Sequence, residues 1–303
     1  MKLGITGITG FVGRHLLAKL FNDKFEMNCL VLKNDKYINK IEKKKNLHFY
    51  EGDILNIDDL KKTFKGCEVI IHLAGLVANE NYDLNYKINF VGTKNCVDVC
   101  EQLNIKRFIY LSAVAAIYKN KTNYGKTKAL AEEYIVNSKL DYTILRPPLI
   151  YGQGSIEFER FLSSITKIPF IIPILGSGLV HKQPIFIECV NNAILNTINN
   201  PRTVRKIYDI ASEERITLLD FINLICKIKK IKKIKIHIPQ NMVLFLVKIS
   251  EKLLKNKSPI STEIIKGMNE EAIQDITGAE NDLNFRPIPI EEGLKKYFSL
   301  LNK

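Results

Sequence analysis

Apolar and polar positions along the 303-residue chain repeat with two different periods, and the two alternate regularly through residue 150. Lys2 to Thr6, Met27 to Leu32, Leu47 to Glu51, Glu68 to Leu73, Phe108 to Ser112 and Tyr142 to Arg146 are short runs of the length and β-branched content of buried strands. Between them, Phe11 to Phe21 sets Phe11, Val12, Leu16, Leu17 and Leu20 at helical spacing, and further helices are predicted near Ile57 to Phe64, Asn85 to Leu103 and Tyr124 to Ser138. Strands that alternate with helices in this way predict an α/β fold with a doubly wound parallel sheet, because right-handed crossovers lay the helices over both faces.

Beyond Arg146-Pro147-Pro148 the texture changes. Pro169, Pro173, Gly176, Gly178 and Pro184 punctuate a loop-rich stretch, followed by strand-like Ile185 to Ile187, a helix from Cys189 to Ile198 and a strand from Ile207 to Ile210. Helices near Leu218 to Lys227 and Met242 to Leu254 complete the pattern. This division predicts a sheet domain from 1–150 joined by about 180–212, and a smaller, discontinuous C-terminal substrate lobe from about 151–179 and 213–303. The alternating Ile and Lys of 227–235 read as an edge strand with Lys on its wet face, which discourages edge-to-edge pairing.

Composition changes this picture only at the margins. The net charge of +13 raises nucleic acid as a partner, but 37 of the 45 basic residues are Lys, whereas bidentate phosphate and base recognition relies on Arg. The cations are spread evenly over both halves, so no nucleic-acid partner is expected. A membrane surface is the lesser reading of the 227–235 run and the amphipathic 242–254 segment, since the same residues serve as an edge strand and a lobe helix. The six cysteines form no CxxC pair and no metal-ligand spacing, which fits reduced, packed thiols, no metal and a cytoplasmic location.

The chemistry is concentrated at strand ends. Thr6-Gly7-Ile8-Thr9-Gly10-Phe11-Val12-Gly13 lies between a strand and a helix. There Gly7 permits a tight turn, Gly10 admits a pyrophosphate, and Gly13 lets the helix lie close, with the amides of Phe11, Val12 and Gly13 at the helix start facing the anion. About twenty residues on, Leu32-Lys33-Asn34-Asp35 ends the second strand, where a cation favours the 2′-phosphate of NADP and an acid the ribose of NAD. Lys33 tilts the cofactor toward NADP, and Asp35 leaves NAD open. Asp53 and Ile54 follow the third strand and Leu73, Ala74 and Gly75 the fourth, at the edge where adenine and the dinucleotide would rest; His72 reads as a packed strand residue. Tyr124 and Lys128 share a helix face twelve residues after Ser112, so an ammonium can lower the phenol's pKa for proton exchange with a hydroxyl or carbonyl.

With these motifs, together with Asn89-Phe90-Val91-Gly92-Thr93, Ile144-Leu145-Arg146-Pro147, Leu149-Ile150-Tyr151-Gly152 and Asn281 to Pro287, the chain resembles the extended and atypical short-chain dehydrogenase/reductase superfamily. That group includes nucleotide-sugar epimerases and dehydratases. The resemblance implies a Rossmann-type fold, Tyr124 as general acid/base, Lys128 on the nicotinamide ribose and Ser112 orienting substrate, with Pro147 beside the cofactor. It implies an epimerase or reductase of a carbinol or keto carbon, with a nucleotide sugar as small-molecule substrate and a homodimer built on the two long helices. Where relatives carry two or three hydroxyl residues, this chain reads Leu111-Ser112-Ala113-Val114, and the Asp-Glu pair of 4,6-dehydratases is absent. Dehydration is disfavoured. The apolar pair also motivates an alternative without turnover, a dinucleotide-binding sensor or assembly subunit.

Overall fold

A computed structural model describes residues 1–21, 24–42, 44–77, 81–245, 247 and 262–301. The strands of the first half are β1 (Lys2–Thr6), β2 (Glu26–Val31), β3 (Leu47–Glu51), β4 (Val69–His72), β5 (Arg107–Leu111) and β6 (Asp141–Arg146). The short β7 (Ile150–Tyr151), β8 (Ile171–Leu175), β9 (His181–Lys182) and β10 (Ile185–Phe186) follow, then β11 (Lys206–Asp209), β12 (Ile216–Thr217) and β13 (Ile234–Ile238). Seven strands form one parallel sheet in the order β11-β6-β5-β4-β1-β2-β3. The chain therefore runs outward from β1 through β2 to β3, then crosses back to β4 and proceeds the other way. The reversal falls between β1 and β4, and ligands of open α/β sheets bind outside the strand ends at such a point.

The expected Rossmann-type doubly wound architecture is thus present, and its strands are buried because both faces are covered. Helices α1 (Phe11–Leu20) and, later, α7 (Ile187–Ile198) pack on one face, where Leu16, Leu17, Leu20, Val190 and Ile194 meet Leu3, Ile5 and Ile109. On the other face α2 (Ile57–Phe64), α4 (Gly92–Gln102) and α5 (Asn123–Val136) bury Leu60, Phe64, Val97, Ala131 and Ile135 against Ile70, Phe108 and Ile144. The single helix expected over Asn85–Leu103 is assembled from three pieces: α3 (Tyr82–Asn85), a π-helical stretch over Tyr86–Val91, and α4.

The remaining elements are α6 (Ile156–Thr166), α8 (Leu218–Lys229) and helices over Thr262–Asn269, Thr277–Leu283 and Ile290–Leu301, with three two-stranded sheets, β7–β10, β9–β12 and β8–β13. The edge strand expected over 227–235 is displaced: Lys227–Lys229 close α8, and the strand is Ile234–Ile238. Lys233 is turned to the end of α6, where its ammonium donates to the carbonyls of Ile165, Thr166 and Ile168 at 3.0, 2.7 and 2.7 Å and satisfies acceptors the helix leaves open. The helix expected over Met242–Leu254 lies mostly outside the described residues, of which 240–245 are helical. No helix among the described residues is long and apolar enough to cross a membrane.

Candidate active site

The glycine-rich turn is built at the topological switch point. Gly7 has a φ of +75°, and a Cβ there would stand 2.5 Å from the backbone nitrogen of Ala74, so the turn after β1 lies directly on the end of β4. At Gly13 a Cβ would meet the Gly7 carbonyl at 2.4 Å, which is why the first turn of α1 can descend onto the loop. Gly10 caps α1 without a side-chain hydrogen bond, leaving the first amides of the helix, those of Phe11, Val12 and Gly13, as donors for an anion. A pyrophosphate fits this cradle.

Lys33 is exposed just past β2, next to Asn34 at φ +60°. Asp35 is engaged in the local turn, where its carboxylate accepts from the Tyr37 amide at 2.8 Å. A cation that sequence reasoning passed over stands close by: the Arg14 guanidinium lies 4.2 Å over the Tyr37 ring and donates to the Thr9 carbonyl at 2.8 Å. Asp53 accepts from the Leu55 amide at 2.9 Å, and Ile54 is buried against Gly92. Pro147 is buried at the end of β6 and accepts from the Val114 amide at 2.8 Å.

His72 is a packed strand residue, as its apolar surroundings implied, and organises the neighbourhood. The Thr93 hydroxyl donates to the Asn89 carbonyl (2.7 Å), so it must accept from His72 Nε2–H (2.9 Å), leaving Nδ1 to accept from the Thr6 hydroxyl (2.6 Å). Asn89, in the π-helical stretch, clasps the loop after Gly75: its Oδ1 accepts from the Leu76 amide at 2.7 Å and its Nδ2 donates to the Leu76 carbonyl at 2.9 Å. The same amide donates to Thr127, whose hydroxyl donates to the Tyr124 carbonyl at 2.9 Å. One chain of hydrogen bonds thus runs from the glycine turn to the start of α5. It demands a neutral imidazole, and burial pushes His72 down to about 3, the charge of Lys128 adding to the effect. Between pH 6.5 and about 3 the unfolded chain binds a proton that the native imidazole refuses, so stability falls as pH falls across this window. The slope is about 1.4 kcal/mol per pH unit from this group. Urea unfolding of wild type and His72→Gln at several pH values is expected to show a shallower decline in the variant.

Thr122 caps α5, accepting from the Gly125 amide at 3.1 Å, and so sets Tyr124 in its first turn. The phenol makes no hydrogen bond to a described residue and is half-buried. Burial, then the charge of Glu157 and the neighbouring Tyr118, pushes its pKa above the ordinary tyrosine range. Lys128 is 3% exposed; its ammonium donates to the Leu111 carbonyl at 2.7 Å and lies 4.1 Å over the Tyr110 ring. Burial drags it down to about 7, against the opposing charge of Glu132. Tyr124 and Lys128 therefore share a helix face, but the expected lowering of the phenol is overridden by burial in the protein alone.

Ser112 does not stand free beside Tyr124. It is 3% exposed and its hydroxyl donates to Glu132, a residue that also receives the Arg146 guanidinium, with Nε at 3.0 and 3.1 Å from the two carboxylate oxygens. Burial opposes the Arg146 charge, and the hydrogen bonds and charge of Glu132 more than restore it. Ala113, Val114 and Ala115 follow, all buried. The C-terminal lobe reaches over the approach to Tyr124: Glu263 accepts from the Asn123 amide at 2.6 Å and Glu270 from Asn120 Nδ2 at 2.9 Å. Glu132 follows Lys128 by one turn of α5 and belongs with Ala131 to the family-like run that starts at Tyr124, whereas Glu157, Glu263 and Arg14 carry no spacing signal in the sequence. Only the fold brings them here. Among the described residues no cluster of side chains could hold a metal ion.

A switch-point glycine cradle, with a tyrosine and a buried lysine one helical turn apart beside it, defines a Rossmann-type protein of the dehydrogenase/epimerase kind. The chain belongs to the NAD dependent epimerase/dehydratase family, whose model matches residues 3–211. It is 29% identical to ceramide reductase of Caulobacter vibrioides over 57% of its length, a match spanning 54% of that protein. It is 24% identical to 3β-hydroxysteroid-dehydrogenase/decarboxylase isoform 1 of Arabidopsis thaliana, over 96% of the chain and 77% of the relative. Its fold matches UDP-glucuronic acid 4-epimerase of Bacillus cereus, solved with UDP-glucuronic acid and NAD, with a TM-score of 0.78 and 20% identity over 100% of this chain and 99% of that one.

Proposed function

We propose that this protein catalyses NAD(P)-dependent oxidation or reduction at a carbinol or keto carbon, with Tyr124 exchanging the proton. The observation that carries this is the Tyr124 phenol, unbonded at the start of α5 beside buried Lys128. A bound nicotinamide dinucleotide supplies hydride exchange. The glycine turn and the amides of Phe11, Val12 and Gly13 would hold its pyrophosphate; Lys33 and Arg14 would face the adenosine ribose; Leu73, Ala74, Gly75 and Pro147 would leave it room. Tyr124, kept protonated at neutral pH by burial, donates its hydroxyl proton to a carbonyl oxygen during reduction. The ammonium of Lys128 favours the phenolate left behind, which takes a proton back from water before the next turnover, and Ser112, donating to Glu132, acts as a positioning residue rather than on substrate.

The division expected from the sequence is part of this reading, with 1–150 and about 180–212 holding the dinucleotide and the rest shaping the substrate. A nucleotide sugar draws support from the Bacillus cereus complex. A lipid carbinol is the second reading, favoured by Ala113 and Val114 where a hydroxyl-rich wall would suit a sugar, and by the names of the curated relatives. NADP is preferred over NAD on the strength of Lys33. Consumption of NADPH and NADH with a panel of nucleotide-linked ketosugars and lipid ketones tests all of this. Lys33→Asp is expected to reverse the preference for NADPH by about tenfold or more, the size of one charge-assisted phosphate contact. Equal use of both cofactors by the two proteins would remove Lys33 from the site.

A further inference from the structure

The outer face of the β8–β13 pair carries residues unsuited to water. The register sets Ile171 beside Ile234, Pro173 beside Ile236 and Leu175 beside Ile238, and directly paired residues project to the same side of a sheet. The buried residues of β8 are Ile172 and Ile174, so those six form the opposite face. This reverses the expected arrangement, in which Lys would have taken the wet side. Ile234 is 70% exposed, Ile236 43% and Phe170, at the corner, 81%. Phe170 is held at a φ of +63°, a conformation that disfavours an aromatic residue, and its carbonyl accepts from the Ile234 amide at 2.9 Å. Met242 and Phe245, three apart in the helical turn after β13, are exposed as well.

The segment that carries β13 is charged with one sign. Between Asp220 and Glu251 the sequence holds seven Lys and no acidic residue. Lys233 closes α6, Lys227 lies 4.0 Å from Glu291, and Lys229 lies over the Phe298 ring. Lys230, Lys232 and Lys167 are exposed and make no ion pair with any described residue. Exposed apolar side chains on a segment rich in exposed Lys suit an anionic bilayer, where the aliphatic and aromatic groups enter the acyl boundary and the ammonium groups stay with phosphates. Protein interfaces, by contrast, are depleted in Lys.

We propose that the β8–β13 face docks the protein on anionic lipid membranes through Phe170, Ile234 and Ile236, with Lys167, Lys230 and Lys232 on the headgroups. This goes beyond the catalytic reading and holds for either substrate class. Flotation with phosphatidylcholine vesicles, with and without phosphatidylserine, tests it. The wild-type protein rises only with phosphatidylserine vesicles; Lys230→Gln and Lys232→Gln each weaken binding about fivefold; Phe170→Asp with Ile234→Asp abolishes it. Phe170→Ser, at the most exposed position, repeats the test should the double variant unfold, and unchanged NADPH binding shows that the site is intact. Wild-type protein that stays at the bottom, or variants that float equally well, would overturn the proposal. So would a concentration-dependent dimer lost in Phe170→Ser without flotation, which would assign the face to a second copy of the chain.

Discussion

Replacing Tyr124 with Phe is expected to lower kcat/KM by about 10²–10⁴, the usual contribution of a positioned proton donor or acceptor, while leaving dinucleotide affinity and melting temperature unchanged. The substitution keeps the ring and its packing and deletes one hydroxyl that makes no hydrogen bond within the described protein. Little stability should be lost. Steady-state kinetics on whichever substrate consumes cofactor, with cofactor binding followed by nicotinamide fluorescence, separates the two effects. Because the same phenol donates the proton in reduction and takes it back in oxidation, and a variant cannot change the equilibrium constant, the loss is expected in both directions. Unchanged turnover in the variant would end the assignment of Tyr124 and favour a protein that binds the dinucleotide without acting on substrate.

Removing Glu132 is expected to destabilise the protein by about 3–5 kcal/mol, as when one partner of a buried ion pair is deleted. Glu132 is 5% exposed and receives both Ser112 and Arg146, which tie the ends of β5 and β6 to α5. Glu132→Ala leaves a part-buried guanidinium and a buried hydroxyl without their acceptor; Glu132→Gln keeps shape and one acceptor oxygen and should lose less. Urea unfolding measures both. Lys128 and Tyr124 lie one and two turns before Glu132 on α5, so activity is expected to fall with stability and to recover in part in Glu132→Gln. A loss no larger than an exposed pair, about 0–1 kcal/mol, would show that the network is not holding the helix.

The parallel sheet was legible because strands buried on both faces read as short apolar runs and their crossover helices as a 3.6 period, both of which are local signals. The glycine turn was legible for the same reason: Gly7 and Gly13 answer constraints set within one strand, one turn and one helix. Hydrophobic spacing predicts one uniform helix over Asn85–Leu103 because it does not register a π-helical stretch, from which Asn89 reaches the Leu76 backbone and Thr127.

Misplacement of 227–235 has a similar origin. Alternation of Ile and Lys indicates two faces but not which one meets the core, and tertiary packing turned Lys233 to a helix end and Ile234 outward. Local pattern alone carries the fold class, the family resemblance, the tight turn at Gly7–Gly13 and the one-turn spacing of Tyr124 and Lys128, since each depends on neighbours within a few residues. Packing of distant segments is what joins Ser112 to Glu132, lets burial shift the pKa values of Tyr124, Lys128 and His72, and leaves an apolar face open. Burial and long-range partners are properties of the packed chain, and no local spacing encodes them.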